Sequence, residues 1–185
     1  MKPCATPAAA LMCVAAALVG PGCGDDDGGA GGPPSAGSRL VEVRSPAFAD
    51  SGTIPKRFTC SGADVSPPLE WDRLPARTKE IAVLVEDVDA DGFAHWIVLR
   101  IPPRMDHFAE GRPPAGSAEA ENGFGDRGWG GPCPPEGKGP HRYVFAVYAL
   151  DEPLGLDAGA SQREVHEAIR EHTLARGATV ARFGR

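Results

Sequence analysis

From residue 40 onward the chain places apolar residues in short runs, separated by long stretches of turn-forming residues. Leu40-Val41-Glu42-Val43-Arg44 alternates apolar and polar side chains, the period of a half-buried strand. Ile81-Ala82-Val83-Leu84-Val85 is apolar throughout and of strand length, which predicts a core strand ending in the acidic turn 86–92. His95-Trp96-Ile97-Val98-Leu99-Arg100-Ile101 predicts the next strand, closed by Pro102-Pro103, and Tyr143 to Leu150 predicts another. Residues 58–69 are turn chemistry, and 104–140 read as one long loop, a length that usually serves a function. One helix is predicted. Ser161 caps it with Glu164 three residues on, Val165, Ala168, Ile169, His172 and Leu174-Ala175 follow at helical spacing, and Gly177 stops it. A short terminal strand, Thr179 to Phe183, ends the chain. Several strands, long loops, one late helix and no internal repeat predict a mostly-β domain of sandwich type.

The first 38 residues follow a different pattern. Lys2 precedes an apolar run, Ala8 to Val19, which has signal-segment length and is short for a bilayer span. Gly20-Pro21-Gly22 leads to Cys23 and resembles a lipobox, in which that cysteine is lipidated; the alternative is an ordinary secretory signal cleaved nearby. Residues 24–38, rich in Gly and Asp, have the composition of a disordered tether. The expected organisation is a signal peptide over 1–23, a tether over 24–38 and a folded domain over 39–185. The expected location is the cell envelope, by a lipid anchor at Cys23 or, failing that, as a secreted or periplasmic protein.

Composition narrows the partners. A net charge of −6 with no basic tract argues against nucleic acid. With Cys4 and Cys13 in the signal and Cys23 set aside, Cys60 and Cys133 remain in the exported domain, as one disulfide or as two buried thiols.

Three polar clusters stand at predicted strand ends: Asp87 and Asp89, then His95, then His141-Arg142-Tyr143. Should these strands neighbour one another, the clusters share one rim. Imidazoles and a phenol offer hydrogen bonds, a Gly-Gly-Pro turn lends a backbone N–H, and the set suits a small phosphate-like or carboxylate anion. Arg142 falls on the opposite strand face from Tyr143 and is expected to pair with an acid. Each piece has a plainer reading. The spacing Asp87-x-Asp89-x-Asp91-Gly92 has a calcium-loop glycine, but Val98 stands where that loop needs Glu. His95, His141 and one Asp would give zinc three ligands, yet no short-range ligand pair is present. No G-x-S-x-G elbow supports a serine hydrolase. No cofactor or resident metal is expected, and enzymatic activity is not.

The motifs taken together resemble a known family. Phe58-Thr59-Cys60-Ser61-Gly62, Asp64-Val65-Ser66-Pro67-Pro68-Leu69-Glu70-Trp71, Asp87-x-Asp89-Ala90, His95-Trp96, Gly130-Gly131-Pro132-Cys133-Pro134-Pro135, His141-Arg142-Tyr143 and Tyr148-Ala149-Leu150-Asp151 follow in the order and spacing of the phosphatidylethanolamine-binding protein (PEBP) family. The resemblance is to its bacterial Raf-kinase-inhibitor-like branch and covers about residues 40–185. It implies a Greek-key β-sandwich with a small end pocket for phosphate-like anions, phosphoethanolamine head groups included. By motif, the ligand-binding residues would be Asp87, His95, Gly131, Pro132, His141 and Tyr143. Cysteine is common in bacterial members at the positions of Cys60 and Cys133, which favours their pairing. Val88 and Asp91 stand where the family has proline, and Trp129 where it often has tyrosine, so the loop is more acidic here and one phenol oxygen is lost. Some members of the family inhibit proteases or modulate signalling proteins, and the alternative expectation is a protein-interaction module of that kind that uses the long 104–140 loop.

Overall fold

The computed structural model describes residues 41–185; the expected signal peptide, Cys23 and the tether lie outside the described residues. In chain order the elements are β1 (Glu42–Arg44), a 3-10 turn (Lys56–Phe58), β2 (Leu69–Asp72), β3 (Glu80–Asp87), β4 (Phe93–Ile101), β5 (His107–Phe108), β6 (Ala118–Glu119), β7 (His141–Leu150), α1 (Gln162–His172) and β8 (Thr173–Phe183). They form a three-stranded sheet, β1-β2-β5, and a five-stranded sheet, β6-β4-β3-β7-β8, with every named pairing antiparallel. The molecule is the β-sandwich with a C-terminal helix that the sequence predicts.

The continuous apolar run of β3 has a structural cause, because both faces of the large sheet are covered. Ile81, Val83 and Val85 point into the core shared with the small sheet, beside Trp71, Trp96, Val98 and Phe145. Ala82 and Leu84 point the other way, into a second core with Ile97, Leu99, Val165 and Ile169, where α1 lies. Burying each such Val, Leu, Ile or Phe side chain contributes about 1.5–3 kcal/mol. Ser161 accepts the Glu164 backbone N–H, and the Glu164 carboxylate accepts the Ser161 N–H at 2.9 Å, so the predicted capping box forms.

The C-terminal boundary differs from expectation. The helix ends at His172, not beyond Ala175, and the terminal strand is eleven residues long rather than a short piece. Leu174, Ala175 and Gly177 belong to β8, which pairs with β7 from Thr173↔Leu150 to Phe183↔His141. Ladder pairing and burial of Ala175 override the helical spacing of the sequence. Gly177 does not stop the helix; a Cβ there would lie 1.8 Å from the Val41 carbonyl oxygen, so this glycine serves close strand packing. The sequence reading also placed no strand at Leu69–Asp72, where Leu69 and Trp71 alternate inward beneath a turn-rich flank.

Candidate functional site

β3 and β7 pair without interruption from Glu80↔Leu150 to Asp87↔Tyr143. Strand alternation therefore carries Asp87 and Tyr143 onto the face that holds Val85 and Phe145, at the strand end where that core stops. His141, two residues before Tyr143, shares the face. Its Nδ1 lies 2.7 Å from Asp87 Oδ2, with side-chain exposures of 18% and 5%. Asp87 Oδ1 accepts the Asp89 backbone N–H at 2.9 Å. The carboxylate thus orients the imidazole and leaves His141 Nε2 as its other ring nitrogen.

His95 reaches the same face by a different route. Val85 pairs with Trp96 and Glu86 with Ala94, so His95 is the extra residue of a β-bulge in β4. A bulge re-aims a side chain. Here it turns His95 toward Tyr143, with ring centroids 5.2 Å apart, while Ala94 keeps to the helix-side core. His95 Nδ1 lies 2.6 Å from the Gly130 carbonyl oxygen. A carbonyl only accepts, so Nδ1 carries the hydrogen. Burial holds the His95 pKa below its ordinary value, against the opposing pull of that hydrogen bond and of the Asp87 and Asp64 carboxylates.

The wall is the loop 130–133. The Gly131 N–H donates to Asp64 Oδ1 at 2.9 Å, and the Cys60 N–H donates to the Pro132 carbonyl at 3.3 Å. A Cβ on Gly131 would fall 2.1 Å from that Asp64 oxygen and 2.9 Å from the Phe58 carbonyl oxygen, so only glycine fits. Cys60 and Cys133 form a disulfide, not two free thiols, and tie the loop to the turn after Phe58. The wall glycines Gly130 and Gly131 line a cavity of about 300 Å³ together with Asp64, Asn122, Phe124, Asp126, Trp129 and the disulfide.

The structure thus brings Asp87, His95, His141 and Tyr143 into one cluster with Gly130-Gly131-Pro132 beside it. Tyr143 is fully buried, and its hydroxyl has no partner at hydrogen-bonding geometry. Burial first, and then the nearby Asp87 carboxylate, push its pKa up, so the phenol keeps its proton and is a donor. Asp89 does not join the cluster. It takes the Arg142 guanidinium at 2.7 Å and the Arg142 backbone N–H at 2.7 Å, and this pairing lowers its pKa to about 2. Arg142 accordingly points away from the site and pairs with an acid. Among the described residues, no group of three or more His, Cys, Asp or Glu is placed to hold a metal ion.

Sequence reasoning missed three contributors. Asp64 fixes the Gly131 amide from a left-handed backbone (φ 54°), a conformation that Asp tolerates better than most residues. Phe93 and Phe124 pack edge-on against the His95 ring, with centroids 5.3 and 5.6 Å away. Only the bulge brings Phe93, His95 and Trp96 near one another on one face, and a period-2 pattern carries no signal for it.

Fold and cluster define a β-sandwich with a carboxylate–imidazole–phenol site at one end of its central sheet. The chain belongs to the phosphatidylethanolamine-binding protein family, whose model matches residues 44–184. It is 40% identical over 152 residues to a UPF0098 protein of Methanothermobacter thermautotrophicus, covering 78% of this chain and 99% of that one. It is also 40% identical over 152 residues to a Mycobacterium tuberculosis protein that carries the lipoprotein name LppC, covering 81% of this chain and 75% of that one. Among solved structures, the PEBP homologue CT736 of Chlamydia trachomatis matches with a TM-score of 0.73 at 32% identity, covering 80% of this chain and 99% of that one. YBCL of Escherichia coli, described as a member of the mammalian PEBP family, matches with a TM-score of 0.75 at 28% identity, covering 78% and 98%.

Proposed function

We propose that the protein is an exported, lipid-anchored module that binds a small phosphorylated or otherwise anionic ligand, of phosphoethanolamine head-group type, without turning it over. The ligand sits on His95, His141 and Tyr143, with Asp87 orienting His141 and Gly131-Pro132 forming the wall. The observation that carries this reading is the Tyr143 hydroxyl, a fully buried donor beside the Asp87 carboxylate that makes no well-formed hydrogen bond within the protein. Leaving such a group unsatisfied costs about 1–3 kcal/mol, and a ligand oxygen removes that cost. Lipid anchoring at Cys23 is supported by the lipobox-like 20–23 segment and by the lipoprotein name of the mycobacterial relative.

The test is an NMR titration of the full chain with inorganic phosphate and with O-phosphorylethanolamine, following the imidazole signals. Joint movement of the His95 and His141 signals is the expected outcome. His141→Ala is expected to abolish the response; because it also removes the imidazole partner of the buried Asp87 carboxylate, retention of the fold is checked alongside by circular dichroism. No response from either histidine at millimolar ligand sinks the proposal. In that event, capture of a protein partner through 104–140 becomes the reading to test.

A further inference from the structure

We propose that this site selects anions that bring their own proton, meaning hydrogen phosphate and monoanionic phosphate monoesters, over sulfate and phosphate diesters. The selecting group is His95 Nε2, acting as a hydrogen-bond acceptor. The inference rests on the anion-binding reading above and adds the ligand's protonation state and degree of esterification to it.

The argument begins with the tautomer. His95 Nδ1 faces the Gly130 carbonyl at 2.6 Å, and that contact requires the hydrogen to be on Nδ1. In the neutral ring Nε2 is then a bare lone pair. The surroundings keep the ring neutral, since His95 is 3% exposed and is packed between Phe93, Phe124 and Tyr143. The charged and titratable groups facing it are Asp87 from β3, Asp64 from the turn that holds the wall and Tyr143 from β7, with His141 of β7 bound to Asp87. The two carboxylates pull toward protonation and are outweighed by burial.

A lone pair that faces an anion site repels an oxygen that carries no hydrogen. It accepts from a P–O–H. The proton stays on the ligand oxygen and no bond is broken. Tyr143 supplies the complementary donor to a second ligand oxygen. Sulfate carries no proton near neutral pH, and a phosphate diester has no P–O–H at all, so both leave Nε2 facing a bare oxygen. The loss expected from one polar group mismatched to the ligand is on the order of tenfold to a hundredfold in affinity. The phosphate of an intact glycerophospholipid is a diester, so the site prefers the free head group, O-phosphorylethanolamine, to the lipid that contains it.

The experiment uses the full chain and four probes, inorganic phosphate, methyl phosphate, dimethyl phosphate and sulfate, with affinities measured by calorimetry across pH. At pH about 6, phosphate and methyl phosphate are expected to bind at least tenfold more tightly than sulfate and dimethyl phosphate. Methyl phosphate should weaken as pH rises beyond its second pKa, about 6, because the monoanion disappears. Sulfate should gain affinity on acidification, once His95 takes up a proton and Nε2 becomes a donor. His95→Gln, whose amide can present an N–H at the same place, should bring sulfate and phosphate to similar affinities. Imidazole ¹⁵N shifts of the ligand-free protein at pH 7 give a check that needs no ligand, with Nδ1 protonated and Nε2 bare. Equal binding of sulfate and phosphate at pH about 6, or a protonated Nε2 in the free protein, overturns this inference and leaves the anion site standing. Failure of all four probes to bind overturns both.

Discussion

The floor and the wall of the site are built by different physics. The floor is Asp87, His141 and Tyr143, set by a continuous β3–β7 ladder whose strands are buried on both faces. The wall, Gly130 to Cys133, belongs to no strand and is held by one disulfide, the Asp64 carboxylate and the ring of His95. The floor therefore shares the cooperative stability of the core, whereas the wall depends on a few discrete attachments. A loop held in this way loosens at lower free energy than the sheet beside it.

Perturbations separate the two, and the largest should break both together. Phe145 lies 1% exposed on β7 beneath the floor, and its ring stacks on Trp129 at 6.3 Å, just before the wall. Phe145→Ala is expected to cost about 3–5 kcal/mol in urea unfolding and to abolish ligand response. Removing the disulfide with paired Cys60→Ser and Cys133→Ser changes should cost about 2–4 kcal/mol. Hydrogen exchange should then show the Gly131 amide losing protection while the β3–β7 ladder keeps it; equal loss in both would collapse the distinction. Gly131→Ala should cost about 1–3 kcal/mol through overpacking against Asp64 and Phe58, and should weaken ligand binding without changing ladder protection.

Acid titration gives the smallest and sharpest separation. His95, against the wall, has its folded pKa lowered by burial. The unfolded chain binds that proton near pH 6.5, so stability falls as pH drops below about 6.5, until the folded ring is protonated too. Asp89, beside the floor, has a pKa lowered to about 2 by Arg142. Its contribution is full above about pH 4 and is lost as pH falls through about 2. Unfolding curves of His95→Gln should lack the first step, and those of Asp89→Asn the second, with the second the weaker because that pair is solvent-exposed.

The same contrast decides how much was legible in the sequence. The floor could be read from Tyr143–Leu150 and Ile81–Val85, because strand alternation converts spacing directly into facing. The wall could be read only as composition, a Gly-Gly-Pro-Cys-Pro-Pro run whose partner Asp64 lies 67 residues away. The bulge that re-aims His95 is a mismatch between two strands and is invisible in either strand alone. The helix end at His172 is hidden from the sequence because Leu174 and Ala175 continue a helical spacing, whereas pairing with β7 is a long-range fact.

β3 has one further consequence. Because Ile81 to Val85 is apolar toward both layers, sliding the strand by one residue would exchange one set of aliphatic side chains for another at little hydrophobic cost. Alignment must then come from the strand's polar ends. At one end, buried Glu80 accepts the Arg100 backbone N–H at 3.1 Å; at the other, Asp87 holds His141. A slip would strand both carboxylates without partners. The acid that orients the His141 imidazole is thus also a registration pin for the central sheet.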